Sequence, residues 1–251
     1  MKVKFYAPSY KRPEKSITQK NYPFVKLVVR ESDAEEYLKN GNDIVVCPDS
    51  AQGNVSRVKN WMLDNLYDED TECIIFMDDD CSGIFRWDKH KKIKLLSDEL
   101  LEFGEHGAIL CNDWGFKLWG LNAVSDKRNW REGCPFMTLS FVGSPFHGHM
   151  RGSQIRYDEE LSLKEDYDIT LQHIKQYKGA LRINWICYDV KQGISGSGQS
   201  GGCASYRNNT KEGEQFKRLQ QKWGSKVIRK DTTSKRSVDW NPMMNVPLKG
   251  V

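Results

Sequence analysis

The chain has 251 residues, of which 38% are apolar, 11% aromatic and 29% charged. A chain this long and this rich in aromatic side chains can bury a core, so the composition excludes disorder throughout. No apolar run approaches the ~20 residues that a membrane helix needs. Residues 1–4 lead straight into a strand-like segment without the apolar stretch of a signal peptide. We therefore expect a protein of the cytoplasm.

The seven cysteines lack the spacing of a zinc site or a disulfide framework. Their number is odd, and no Cys-x-x-Cys pair occurs. Most of them lie in or beside apolar runs, where a cysteine acts as a small buried apolar residue. Neither structural zinc nor disulfide bonds are expected.

The net charge of +4 is unevenly distributed along the chain. Residues 207–236 contain ten Lys and Arg against three Asp and Glu, a net charge of +7, so the remaining residues sum to −3. A basic segment on a mildly acidic body indicates an anionic partner. A solvated basic helix without a partner is the alternative.

The first 80 residues alternate between strand-like and helix-like segments. Four short apolar runs have the composition of strands, and two segments between them show the caps or apolar spacing of helices. The predicted strands are residues 3–7, 24–29, 43–47 and 73–77, and the predicted helices are 32–39 and 54–66. This alternation predicts an α/β fold with a mostly parallel, Rossmann-type sheet flanked by helices, and a nucleotide-binding half in residues 1–80.

The pattern after residue 80 is less regular. The predicted helices cover residues 97–105, 164–177 and 211–223, and the predicted strands cover 108–111, 136–142 and 181–187. Glycines recur in residues 193–202. Such a segment is either a flexible surface linker or a backbone that offers N–H groups to an anion.

Three consecutive carboxylates, Asp78, Asp79 and Asp80, follow the apolar run at 73–77. In open parallel sheets, ligands bind beyond the carboxyl ends of the strands. Three acids at such a point repel one another unless a cation lies between them, and hard divalent ions bind carboxylates together with substrate phosphates. The pattern therefore predicts a Mg²⁺ or Mn²⁺ site that holds a diphosphate. An acidic turn that caps a helix is the alternative.

A second acidic pair, Glu165 and Asp166, lies at the start of the predicted helix 164–177. Carboxylates in this position are stabilised by the helix dipole and by free N–H groups, so the pair alone does not require a function. Its interpretation depends on the motifs that accompany it.

Four motifs follow one another in an order that resembles the GT-A-type glycosyltransferases. They are the first-strand segment 7–13, the Gly-to-Asn helix start 52–60, the strand and acids 76–80, and the late acidic motif 156–169. Within that group the chain is most similar to the TET-associated glycosyltransferases of phages and related elements. This similarity rests on the runs FYAPSYKRP, FMDDDCSGIFRW and LKEDYDITLQH and on the glycine-rich segment.

The resemblance implies a metal-dependent transfer of a sugar from a nucleotide-sugar, taken as UDP-linked, to a hydroxyl group. Asp78 and Asp80 would hold Mn²⁺ or Mg²⁺, and Asp79 would contact the ribose or the donor sugar. Asp166 would be the general base of an inverting reaction, or an orienting group in a retaining one, with Glu165 beside it. The other expected donor-binding residues are Pro8, Ser9, Tyr10, Arg12, Gly53, Arg57 and Lys191.

The subfamily resemblance also implies the acceptor, 5-hydroxymethylcytosine in double-stranded phage DNA, and a location in the host cytoplasm. The basic residues 207–236 fit a DNA phosphate backbone. We expect one GT-A-like domain in residues 1–206, divided into the nucleotide-binding half (1–80) and an acceptor half (81–206). Residues 207–251 are expected to form a basic helix and tail packed on this domain.

Histidine is absent where the family pattern often has it. Many GT-A enzymes supply a metal-binding His after the acidic motif, but residues 180–251 contain none. The metal would then be held by the Asp cluster, phosphates and water, or Lys191 and the glycine-rich loop would meet the diphosphate directly.

His147, His149 and Trp119 are further candidates with a plain structural alternative. Two His at alternate positions can share a zinc ion, but no third ligand is evident nearby, so hydrogen-bonded histidines near a cleft are the favoured interpretation. Trp119 is either a core residue or part of an aromatic wall for the sugar or the acceptor.

Three other functions remain open at this stage. A nucleotidyltransferase would carry a glycine-rich basic loop after its first strand, where this chain has residues 8–13, PSYKRP. A glycosyltransferase acting on protein or saccharide would differ from one acting on DNA only in its acceptor. A non-catalytic DNA-binding module on a degenerate transferase fold would not need the intact acidic motifs.

Overall fold

A mixed sheet of ten strands organises the chain in the computed structural model, which describes residues 1–88, 91–123, 133–190, 202–205, 207–232 and 240–246. The strands of the whole described chain are β1 (Val3–Pro8), β2 (Lys26–Arg30), β3 (Ile44–Cys47), β4 (Cys73–Met77), β5 (Cys81–Asp88), β6 (Lys91–Lys94), β7 (Leu118–Asn122), β8 (Phe136–Met137), β9 (Phe146–Met150), β10 (Leu181–Val190), β11 (Ile228–Lys230) and β12 (Pro242–Met244). The helices are α1 (Ile17–Asn21), α2 (Ala34–Lys39), α3 (Val55–Asn65), α4 (Ser97–Asp113), α5 (Glu165–Tyr177) and α6 (Asn209–Trp223).

The strand order in the sheet is β3-β2-β1-β4-β9-β7-β10-β5-β6, and β8 pairs with β10 at the side of this path. The four strands predicted in the first 80 residues form one parallel block, β3-β2-β1-β4. Strands β7, β10 and β6 run in the same direction as this block, and β5, β8 and β9 run against it. The predicted α/β fold with a mostly parallel sheet in a single domain is therefore confirmed.

Strand β4 shows why the parallel block was predictable. All five of its side chains are buried, since helices cover both faces of the sheet, and its sequence is a continuous apolar run. Helix α3, which follows β3, is capped at its N-terminus by Asn54, whose side chain accepts hydrogen bonds from the backbone N–H groups of Ser56 and Arg57. Because β4 ends at Met77, Asp78 is the first residue beyond the carboxyl end of this strand.

Two predicted strands are wrong in type or length. Residues 108–111 lie inside α4, because the small residues Gly104, Gly107, Ala108 and Cys111 are spaced to form one buried helical face against the sheet. The predicted strand 136–142 is reduced to β8, followed by a single bridge between Leu139 and Ala180.

The close approach of α4 to the sheet depends on Gly107. A Cβ atom at this position would lie 2.4 Å from ring atoms of the buried Trp119. We expect Gly107→Ala to lower the free energy of unfolding by about 1–3 kcal/mol, as overpacking does. This change has the opposite sign to the gain of about 1 kcal/mol that alanine gives at an unhindered helix position. Urea denaturation, with the exposed Glu105→Ala of the same helix as control, decides between the two signs.

Helix α6 packs on α5 through a small apolar cluster that includes Leu171, Phe216 and Leu219. Polar contacts reinforce this packing, since Lys222 and the indole N–H of Trp223 both bind the buried carboxylate of Asp168. None of the helices in the described part of the chain has both the length and the apolar character that a membrane crossing requires.

Candidate active site

A cavity of about 280 Å³ opens where β1 and β4 end. The loop before α3, the start of α5 and the segment that leads into α6 complete its wall. It brings together ten of the residues predicted from the sequence: Pro8, Ser9, Tyr10, Arg12, Gly53, Asp78, Asp79, Asp80, Glu165 and Asp166. The two acidic motifs, 85 or more residues apart in the chain, therefore line the same space.

Two predicted donor-binding residues are not brought to this cavity. Arg57 is 45% exposed, and its guanidinium binds the carboxylate of Glu159 and the carbonyl of Ser50 rather than lining the wall. Lys191 lies outside the described residues, as does almost all of the glycine-rich segment.

Asp79 is buried in the wall of the cavity and holds the β1 loop in place. Its carboxylate accepts a hydrogen bond from Ser9 Oγ at 2.5 Å and forms an ion pair with Arg12. Because Ser9 donates to Asp79, the hydroxyl of Tyr37 donates to Ser9 at 2.8 Å, and it accepts the backbone N–H of Arg12 at 3.0 Å. The guanidinium of Arg12 is thereby fixed at the edge of the acidic cluster, 3.7 Å from Asp80.

The side chains of Asp78 and Asp80 are partly buried and line the cavity. Burial, together with repulsion from neighbouring carboxylates, raises the pKa of Asp78 to about 6 and that of Asp80 to about 7. A divalent cation would offset this repulsion, so the donor set fits one. In the described part of the chain no three His, Cys, Asp or Glu side chains form a complete ligand set. Two carboxylates completed by substrate phosphates and water are a normal arrangement for Mg²⁺.

Glu165 and Asp166 are the first two residues of α5, and both line the cavity. Burial, followed by the negative charge of Glu165, raises the pKa of Asp166 to about 7. Asp166 accepts the backbone N–H of Tyr167 at 2.9 Å. A carboxylate with a pKa near neutrality has the proton affinity that general-base catalysis requires.

Lys59 is a residue of this site that the sequence analysis did not single out. It is a lysine on the buried face of α3, and its ammonium donates to Ser144 at 2.6 Å and to Glu165 at 3.1 Å. The sequence does contain a signal that Lys59 is buried: it lies beside Val58 and one turn before Met62, among the apolar residues of the helix.

Arg207 is a second residue that was not identified as part of the site. It was counted only in the basic segment, but it lines the cavity and pairs with Glu212, which in turn pairs with Lys164 before α5. The neighbouring Gly202 donates its N–H to the carbonyl of Tyr10 at 3.2 Å. A Cβ atom at Gly202, whose φ is +58°, would lie 2.8 Å from the Arg12 guanidinium, so glycine is needed there.

His147 and His149 are buried and linked through the hydroxyl of Tyr157, at 2.6 and 2.8 Å. The Nδ1 of His147 donates to the carbonyl of Ser144, so its Nε2 accepts from Tyr157, and His149 donates to the tyrosine oxygen. Burial lowers the pKa of both imidazoles. They form a neutral hydrogen-bonded core network, and Trp119 is likewise fully buried.

Several cations of the basic segment form ion pairs with other residues of the protein. Arg218 pairs with Glu160, and Lys222 pairs with Asp158 and Asp168. These contacts anchor α6 to the acidic segment before α5. The cations that remain exposed on and after α6 include Lys217, Lys226 and Arg229.

Solved structures similar to this chain include S. aureus TarS 1-349 (16% identity over 74% of this chain and 60% of that chain, TM-score 0.44). TarS 1-349 in complex with UDP-GlcNAc matches at 14% identity over 88% of this chain and 67% of that one, with a TM-score of 0.47. A mycobacterial protein matches at 10% identity over 97% of this chain and 82% of that one, with a TM-score of 0.49. This chain thus spans about 60% of the length of the first of these structures.

No curated protein is significantly similar to this chain in sequence. The family model of the TET-Associated Glycosyltransferases matches residues 3–202, which is most of the chain and includes both acidic motifs. The chain therefore belongs to the TET-associated glycosyltransferase family.

Proposed function

We propose that this protein transfers a sugar from a UDP-linked donor to the hydroxyl of 5-hydroxymethylcytosine in duplex DNA, with Mn²⁺ or Mg²⁺ as cofactor. One observation carries the proposal: Asp78, Asp80, Glu165 and Asp166 line one cavity. We assign catalysis to residues 1–206, with the nucleotide-binding half in 1–80 and the acceptor half in 81–206, and treat 207–251 as a packed basic extension.

The donor half of the proposal rests on charge. Asp78 and Asp80 would hold the metal ion, which when bound would neutralise the diphosphate leaving group. Arg12 and Arg207 line the same cavity and add positive charge near the phosphates. The end of β1, residues 8–10, provides the wall for the nucleoside, and Gly53 leaves room beside it.

Asp166 is the proposed general base. In an inverting reaction the acceptor oxygen attacks the anomeric carbon and its proton passes to the Asp166 carboxylate. The bond from the anomeric carbon to the diphosphate oxygen breaks, and its electron pair leaves with the nucleoside diphosphate. The pKa of about 7 places the basic form of Asp166 at the slightly alkaline side of neutrality.

DNA is the proposed acceptor because of the family and the exposed cations. The hydroxymethyl group of the modified base projects into the major groove, where a compact domain can reach it, and base flipping is the alternative route at a few kcal/mol. Lys217, Lys226 and Arg229 are exposed cations that would contact the phosphates.

The experiment that tests the function is a thermal-shift panel of nucleotide-sugars with and without Mn²⁺, followed by a transfer assay. A donor at 100 times its Kd adds about 2.7 kcal/mol of stability, which is visible as a higher Tm. We expect a shift with a UDP-sugar that requires Mn²⁺, and transfer to duplex DNA with 5-hydroxymethylcytosine but not with cytosine.

Other outcomes contradict separate parts of the proposal. A shift with duplex DNA but with no donor would indicate a non-catalytic DNA-binding module. A donor shift with transfer only to a saccharide or a protein would overturn the acceptor. A donor shift of the same size in EDTA would remove the metal from the donor site.

A further inference from the structure

The ammonium of Lys59 joins three elements at the centre of the site. Lys59 lies in α3 with 1% of its side chain exposed, Ser144 lies in the segment before β9, and Glu165 begins α5. The three side chains contact one another: Lys59 donates to Ser144 at 2.6 Å and to Glu165 at 3.1 Å, and Ser144 donates to Glu165 at 3.2 Å. The ring of Tyr157 lies below, with its centroid 5.2 Å from the ammonium.

A buried lysine is an unusual choice for this face of α3. Its helical neighbours Val58 and Met62 are buried and apolar, and an apolar residue at position 59 would continue the same packing. Buried ion pairs stabilise a fold little or not at all compared with well-packed apolar residues of the same size. Stability therefore does not explain the pair, and its place between the two acidic motifs suggests a role in the site.

We infer that Lys59 is a positioning residue: its charge balances that of Glu165, fixes the start of α5 against α3, and favours the ionised form of the neighbouring Asp166 carboxylate. This inference deepens the proposed function and its activity readout rests on it. Glu165 is then the partner of Lys59, and Asp166 is left as the carboxylate that meets the acceptor.

The charges around Asp166 support this division. Lys59 and, more weakly, Lys164 favour its ionised form, whereas burial and Glu165 disfavour it. Other titratable groups near Asp166 include the hydroxyls of Tyr157 and Tyr188, both buried and neutral. Tyr188 also lies near Asp78, whose ionised form Lys59 favours as well. Lys59 and Glu165 thus act on Asp166 in opposite directions, and removing only one of them should upset the balance.

The test compares Lys59→Met with the double variant Lys59→Met/Glu165→Gln. In the single variant an unpaired Glu165 carboxylate remains beside Asp166. We expect the acid limb of the kcat profile to move up by about one pH unit, the size of effect that a lost opposite charge at close range produces. In the double variant both charges are gone, and the limb should return to its wild-type position.

A second readout does not need turnover. The carbon-13 chemical shifts of aspartate side chains, with the Asp166 signal assigned by Asp166→Asn, report the Asp166 titration directly. We expect the same upward shift in Lys59→Met and its reversal in the double variant. If Lys59→Met does not fold, Lys59→Gln replaces it, because a neutral amide can still hydrogen-bond to Ser144 and Glu165.

The two readouts separate the failure of this inference from that of the proposed function. An Asp166 titration that stays at its wild-type position in the single variant overturns the role of Lys59, whether or not the protein transfers sugar. A titration that moves as expected in a protein that shows no transfer to any acceptor supports the inference and contradicts the proposed function.

Discussion

Sugar transfer should fall by about 10²–10⁴-fold in Asp166→Asn, the range that general-base assistance supplies. The amide cannot take the proton from the acceptor hydroxyl, but it has nearly the same size, so the cavity keeps its shape. The substitution leaves Asp78, Asp80 and Arg12, for which the donor contacts are proposed, in place. We therefore expect the Mn²⁺-dependent thermal shift with the donor to persist while kcat is lost.

The matched control is Glu160→Gln, which removes one negative charge near the start of α5 from a side chain that is 64% exposed and paired with Arg218. This variant should retain transfer. The pH profile gives a further check: with a folded pKa of about 7, Asp166 is basic above that value, so wild-type kcat should decline as the pH falls below about 7. Full activity in Asp166→Asn would contradict the assignment.

The part of the cavity formed by the ends of β1 and β4, where we propose that the donor binds, was largely predictable from the sequence, because its signals are local. A buried apolar run that ends in Asp78, Asp79 and Asp80 fixes both the strand and the edge at which the acids emerge. The sheet beyond β4 was less predictable. Strands β7 and β9 contain Gly120 and Gly148, and a glycine in the sequence argues against a strand. The structure nevertheless requires glycine at position 148, because a Cβ atom there would lie 2.1 Å from the indole nitrogen of Trp119.

Other parts of the site depend on tertiary packing that no local pattern reports. Lys59 belongs to the site because of the face that α3 turns toward Ser144 and Glu165, and Arg207 because the chain returns over Tyr10 and Arg12 near its end. Conversely, Arg57 lies in the same motif as Lys59 but points to Glu159. A motif match therefore located the helix correctly, whereas the side chains that reach the cavity follow from the rotation of that helix.

The carboxylates proposed to bind metal should lower the free energy of unfolding when no metal is present. The folded pKa of Asp80, about 7, lies above the ordinary value of 3.8, so its ionisation favours the unfolded chain. This contribution to stability is present below about pH 4 and is lost as the pH rises through 7. At pH 8 in EDTA, Asp80→Asn should therefore have a higher Tm than the wild type, since it removes one of three crowded negative charges.

Adding Mn²⁺ should reverse this order. The cation stabilises the folded wild type by binding to it. In Asp80→Asn one proposed ligand of the cation is missing, so the Tm of the variant should rise little and its transfer activity should be lost. Comparing the two proteins at each pH cancels the contributions of other buried groups, including His147 and His149. Asp43→Asn is the matched control, because the half-exposed carboxylate of Asp43 lies far from Asp80 along the chain and pairs with Lys26.

If Mn²⁺ raised the Tm of Asp80→Asn as much as that of the wild type, Asp80 would not be a metal ligand. If Asp80→Asn were less stable than the wild type in EDTA, the repulsion argued from its raised pKa would be wrong.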